Sequence, residues 1–358
     1  MRRREAVPFV CSFATLVGVF ALQTPAGALA PQACPGWSQV SAPNGTLFDV
    51  GVISQRDAWA VGARLQHWDG ETWSLVPDPL SNVPMFGVSA VSSTDVWAAG
   101  ANSRATILHW DGTAWSVAPS PGAGPLSFLQ DIDMIDASDG WAVGWSSTNS
   151  GVDTTLTEHW DGTAWSIVPS PNSGPHDHLL GVDAVASNDV WAVGDWSAAG
   201  SPARPLVLHW DGTTWNHVLA PGPGSLVAHL EAVSASSAGD VWAFGWAGTT
   251  NKSTPIAEHW DGSTWTLMKG ASIDAGTNEL QDGVALSPTD VWAVGWGDTL
   301  ALSEHWDGSN WTVVSPVSPG NHSNYLEGVA AVSTTELWGV GYYLGPGSQT
   351  LIEHYCAT

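Results

Sequence analysis

Residues 179–221 read LLGVDAVASNDVWAVGDWSAAGSPARPLVLHWDGTTWNHVLAP. Leu179–Val185 is apolar with a β-branched bias and reads as a strand. Asp189–Gly194 reads as a second strand, Leu206–Trp210 as a third and Trp215–Leu219 as a fourth. Asp211-Gly212 between the last two is a tight-hairpin signal, because glycine reaches the positive φ such turns need. The Pro/Gly run from Ala220 to Gly224 ends the unit. No 3.6-residue apolar period competes with this reading.

The unit recurs. Asp-x-Trp-Ala-x-Gly surrounds Trp59, Trp97, Trp141, Trp191, Trp242 and Trp292, and returns as Glu336-Leu337-Trp338-Gly339-Val340-Gly341. His-Trp-Asp-Gly-x-x-Trp begins at His67, His109, His159, His209, His259 and His305. The last copy of this second marker is split: His354-Tyr355 ends the chain, and Trp37-Ser38 begins the repeat region. Four short antiparallel strands, seven times over, predict an all-β, seven-bladed β-propeller. The split copy predicts that the N-terminus supplies the outermost strand of the last blade and so removes the exposed sheet edges. Cys34 and Cys356 stand where the split copy lacks its Asp-Gly turn, and a Cys34–Cys356 disulfide is expected in place of that turn.

The composition excludes several functions. The 358 residues carry 9 Lys+Arg against 34 Asp+Glu, a net charge of −25. Nucleic acid and anionic membrane surfaces both need clustered cations, so neither is an expected partner. Residues 1–30 read as a secretory signal peptide, with Arg2, Arg3 and Arg4 before the apolar run Phe9–Leu22 and small residues at Ala26–Ala30. A secreted protein is expected, with residues 31–358 as one propeller domain, monomeric and without a membrane span. Self-repulsion of its acidic surface leaves calcium or salt as stabilisers; no cofactor is otherwise implied.

Most repeated residues read as scaffold. The Trp of the two markers fill space between blades, and the Asp of both close turns. The seven histidines, one per blade and far out on the third strand, are too dispersed for a metal site. What varies is more informative. Trp145, Trp196, Trp246 and Trp296 fall just after the second strand, with Tyr342 and Tyr343 in the last blade. His178, His229, Glu279 and Tyr325 open the first strands on the same face, where Glu231 and Glu327 stand nearby. Loop aromatics there suit stacking on sugar faces. His178, His229, Glu279, Glu231 and Glu327 are candidates for a convergent polar cluster, with metal binding one of its possible uses. Binding residues concentrate on loops held by a rigid scaffold, and a ring mouth is a natural pocket.

The copies Ile107–Ser116 and Glu158–Ser166 resemble two groups of bacterial propellers. One is the seven-bladed lectins with a Trp-Asp-Gly repeat, which implies sugar sites between blades. The other is the Asp-box and photosystem-assembly-factor type; Asp139-Gly140-Trp141-Ala142-Val143-Gly144 followed by Thr155–Trp165 looks like this second group. The Asp-box is one residue short here. The arginine triad of sialidases is not in view, because Arg56, Arg64, Arg104 and Arg204 are scattered. The resemblance is specific for architecture and weak for activity.

Three functions follow as expectations. The first is a secreted binding module for carbohydrate or an extracellular partner. The second is a scaffold or assembly protein that binds another exported protein. The third is a glycan-active hydrolase or lyase at the ring mouth, with acid and base drawn from Glu231, Glu279, Asp282 and Glu327 beside His178 or His229. No catalytic residue stands out, and a non-enzymatic role is the main expectation.

Overall fold

The computed structural model describes residues 35–357, apart from 82, 225, 250–251, 274–275 and 321. Among the described residues every regular element is a β-strand. The segment expected to be a signal peptide, and Cys34 with it, lies outside them.

Each repeat forms a four-stranded antiparallel blade. In the fourth these strands are His176–Ala186, Asp189–Ser197, Arg204–Trp210 and Trp215–His217. The inner strands are longer than their apolar patterns suggest, because His176, Asp177 and His178 keep pairing with Ser197, Trp196 and Asp195. The third and fourth blades are further joined by one parallel bridge, Asp153 to His176. In the last blade Gly36–Gln39 pairs antiparallel with Gly347–Cys356, Trp37 opposite Tyr355. The expected sharing of one blade by both ends of the chain is therefore present.

Core packing lies between the blades. Seven apolar clusters occupy the seven interfaces. The one that closes the ring joins Leu47, Val50, Ala60 and Trp73 of the first blade to Trp338, Val340 and Ile352 of the last. Three rings recur at each interface. Trp141 meets Trp210 at 4.9 Å and Trp215 edge-on at 5.0 Å. Where the marker is split, Trp292 meets Tyr355 at 4.5 Å and Trp37 at 6.3 Å. The Trp are therefore interblade packing, as read from the sequence.

The marker Asp differ from expectation in one respect. Asp211 does close its hairpin, accepting N–H bonds from Thr213 and Thr214 beside Gly212 at φ +90°. The Asp of Asp-x-Trp instead accept from the third-strand histidines, as in His209 Nε2 to Asp189 Oδ1 at 2.7 Å. The imidazole then stacks on Trp191 at 4.2 Å. These Asp open the second strand rather than closing the turn before it, so the neighbouring imidazole is their available donor.

Buried Glu158, Glu258, Glu304 and Glu353 form a further repeated device. Each sends one oxygen to a crossing loop: Glu158 to Gly122 N, Glu258 to Gly222 N, Glu304 to Ala271 N and Glu353 to Val317 N. Their second oxygens are buried without a hydrogen bond. Burial accordingly pushes Glu258 up to about 7, and Glu304 and Glu353 up to about 8.

Candidate functional site: the ring mouth and channel

One face of the ring is built from the starts of the innermost strands and the ends of the second strands. Their register sets opposite one another Phe128 and Trp145, His178 and Asp195, His229 and Trp246, Glu279 and Trp296, and Tyr325 and Tyr342. Trp145, Trp246, Trp296 and Tyr342 are thus strand residues rather than loop residues, and all are half-buried. Their backbones continue the ladder, which polar neighbours had disguised as loop. Phe128 stacks on Trp145 at 4.3 Å, His229 on Trp246 at 4.6 Å and Tyr325 on Tyr342 at 4.7 Å. Trp296 meets Tyr325 edge-on at 5.3 Å.

Trp196 does not join this arc. The fourth blade carries Gly194-Asp195-Trp196 where the third, fifth and sixth have Gly-Trp, so Asp195 takes the ring position. Successive strand residues face opposite sides, and Trp196 lines a separate groove with Arg204, Pro205 and Leu219.

Asp195 organises the polar part of the mouth. Its Oδ1 lies 3.1 Å from His229 Nδ1 and 3.6 Å from His178 Nδ1. Asp153 Oδ2 lies 3.3 Å from His178 Nε2 and 3.1 Å from His176 Nδ1. The result is a carboxylate–imidazole ladder across three blades. Burial works against the charge of Asp195, but the two imidazoles outweigh it and hold the carboxyl at about 2. Burial likewise lowers His178 and His229, yet the facing carboxylates leave both raised above the ordinary histidine value.

The neighbouring carboxylates behave in the opposite way. Glu231 accepts from Trp246 Nε1 at 3.0 Å, and Glu279 accepts from Ser253 Oγ at 2.9 Å. Burial pushes Glu231 and Glu327 up to about 7 and also raises Glu279. Of the expected cluster, Glu231 and Glu279 each lie within electrostatic reach of both His229 and Glu327, with His178 one blade away. Among the described residues no group of three or more His, Cys, Asp or Glu is arranged to hold an ion.

Below the mouth runs a cavity of about 220 Å³ lined by Phe48, Phe86, Glu231, Glu327 and a belt of aspartates. A β-bulge in every innermost strand positions this belt. Asp49, Asp131 and Asp282 reach the backbone N–H of Val88, Val182 and Val329 on the following blade. One layer deeper, Asp133 and Asp183 reach Ala184 and Ala235. The following blade must approach closely for this. At Gly181 an added Cβ would lie 2.8 Å from Ala232 Cα. Burial and mutual repulsion raise Asp183 and Asp282 to about 8 and Asp49 to about 6.

Sequence reading missed Asp195, Asp153, Asp49, Asp131, Asp133 and Asp183. The one legible signal was the extra residue in Gly194-Asp195-Trp196. The bulges that turn the belt inward have no comparable mark.

These observations define the class: a seven-bladed β-propeller with an acidic, ring-bordered mouth. No protein-family profile matches the chain, and no curated protein matches it. Solved structures share its fold. YCF48 bound to D1 peptide is 18% identical with a TM-score of 0.61, over 91% of this chain and 99% of that one. YCF48 from Cyanidioschyzon merolae is 16% identical at 0.59, over 90% and 98%. The WD40 propeller domain of Doa1 is 9% identical at 0.59, over 90% and 97%. At these identities the likeness concerns architecture, and it agrees with the assembly-factor resemblance in the repeats.

Proposed function

We propose that this protein is an exported binding propeller that holds a segment of another protein at its ring mouth. The observation that carries this reading is the asymmetry between the two faces. One face repeats the same histidine–carboxylate pair seven times, as a scaffold does. The other presents a different residue pair on each of five successive blades, as a recognition surface does. The fold likeness to a propeller bound to a peptide supports the same reading.

A carbohydrate ligand is the second reading. It is favoured by half-buried rings beside carboxylates. It is weakened because Trp145, Trp246 and Tyr342 each have a face covered by a cross-strand partner, and because Trp196 lies elsewhere.

Residues 31–358 should be screened against an array of extended peptides and a glycan panel. Competable peptide binding that is weakened about tenfold or more by Trp246→Ala or Trp296→Ala, with the hydrodynamic radius and cooperative unfolding retained, is the expected result. Binding to one glycan class alone would replace this reading with the lectin one.

A further inference from the structure

The two halves of the mouth differ in charge balance. Across the third to fifth blades two mouth carboxylates have imidazole partners: Asp153 has His176 and His178, and Asp195 has His178 and His229. Across the fifth to seventh blades that pairing stops. Glu231 is held by an indole N–H and Glu279 by a hydroxyl. Glu327 lines the channel wall and makes no hydrogen bond among the described residues. The groups facing these three are His229 and Asp195 on one side, Tyr325 and Tyr342 on the other, and Asp49, Asp131 and Asp282 below. Among the described residues no lysine or arginine lines the channel, and every ion pair has histidine on its basic side.

Rings border the same half: Trp246, Trp296, Tyr325 and Tyr342. Aromatic faces attract a cation placed over them. A carboxylate withdrawn from water without a counter-charge is costly. A ligand that brings positive charge and N–H donors relieves that cost. A neutral ligand brings donors without charge, and an anion is repelled.

We propose that the fifth, sixth and seventh blades form a receptor site for a lysine or arginine side chain of the bound protein segment, held among Glu231, Glu279, Glu327 and the Trp246, Trp296, Tyr325 and Tyr342 rings. This rests on the reading of the mouth as the binding face and names the chemistry of its partner. The site is pH-sensitive. From acid to alkaline conditions His178 and His229 lose protons while Glu231, Glu279 and Glu327 lose theirs, so the mouth becomes steadily more negative. Capture of the cation strengthens in that direction.

The probes are capped Gly-Lys-Gly and Gly-Arg-Gly, with capped Gly-Gln-Gly and spermidine as comparators, titrated into residues 31–358 and followed by tryptophan fluorescence. The basic peptides are expected to bind about tenfold more tightly at about pH 9 than at about pH 5, and the glutamine peptide to bind at neither. Combined Glu279→Gln and Glu327→Gln substitution should weaken alkaline binding about tenfold, whereas Glu71→Gln, in an exposed hairpin on the opposite face, should not. The two mouth substitutions remove half-buried carboxylates, so melting no lower than the parent protein is expected and verifies the fold.

Equal binding of the lysine and glutamine peptides overturns the proposal. So does an equal loss with Glu71→Gln, which would mean general surface attraction, or binding of spermidine alone, or affinity independent of pH. If a partner identified on the array loses binding with Trp246→Ala but not with the paired Glu→Gln change, the mouth remains the binding face and the cation site fails. If neither change affects that partner, both readings fail.

Discussion

Asp195 shows how much one side chain decides at the mouth. It replaces a tryptophan in the register of its blade and becomes the shared ion-pair partner of two imidazoles. Asp195→Asn removes the charge that favours protonated His178 and His229, so both should titrate at lower pH. Histidine proton resonances followed through a pH series measure this; unchanged midpoints would mean that the ladder does not exist in solution. Trp141 represents the other kind of residue, a fully enclosed ring between two others. Trp141→Ala should cost about 3–5 kcal/mol in denaturant unfolding, far more than a change at half-buried Trp246.

At the scale of the strand, the bulge is the device that matters. It turns Asp49, Asp131 and Asp282 toward the backbone of the next blade. Gly87, Gly181 and Gly328 take the same bulge position in other blades, where an added Cβ would meet Asp131, Ala232 and Asp49 of the following blade. Gly181→Ala should therefore destabilise by about 1–3 kcal/mol through overpacking. A melting temperature unchanged from the parent would count against the close approach. Strand positions were legible from the hairpin signals and the Trp markers, since both are local. The bulges were not, because a register shift depends on the partner strand and leaves no fixed residue type. That is why His229 and Glu279 were found as mouth residues, while Asp131 and Asp183 were missed.

For the whole ring, titration and closure make separate predictions. Asp183, Asp282, Glu304 and Glu353 are raised in the folded state to about 8. A raised carboxyl contributes its stability fully below the unfolded value near 4 and loses it as pH climbs through the folded value. The melting temperature should fall between about pH 5 and about pH 9, and Glu304→Gln with Glu353→Gln should flatten that fall. A profile that rises over this range would refute the protonated belt. Closure rests on the pairing of Gly36–Gln39 with Gly347–Cys356, and we propose that a Cys34–Cys356 disulfide secures it. Mass spectrometry of non-reduced peptides should recover the linked pair, and reduction should lower stability by at most about 5 kcal/mol. Two separate thiol peptides would dismiss the bond.

By itself the sequence determined the blade count, the four-strand unit, the interblade role of the tryptophans and the sharing of a blade by both termini. These follow from local turn chemistry and from repetition, which need no knowledge of distant neighbours. Only the tertiary structure decided which polar residues meet. His178, Asp195 and His229 come from two blades, and Glu279 and Glu327 from two more. Their charges depend on burial and on one another, which no single repeat contains. Trp196 and Asp195 are adjacent in sequence, yet a one-residue difference in strand register sends one to the outer groove and the other to the mouth, because the pleat alternates with every residue.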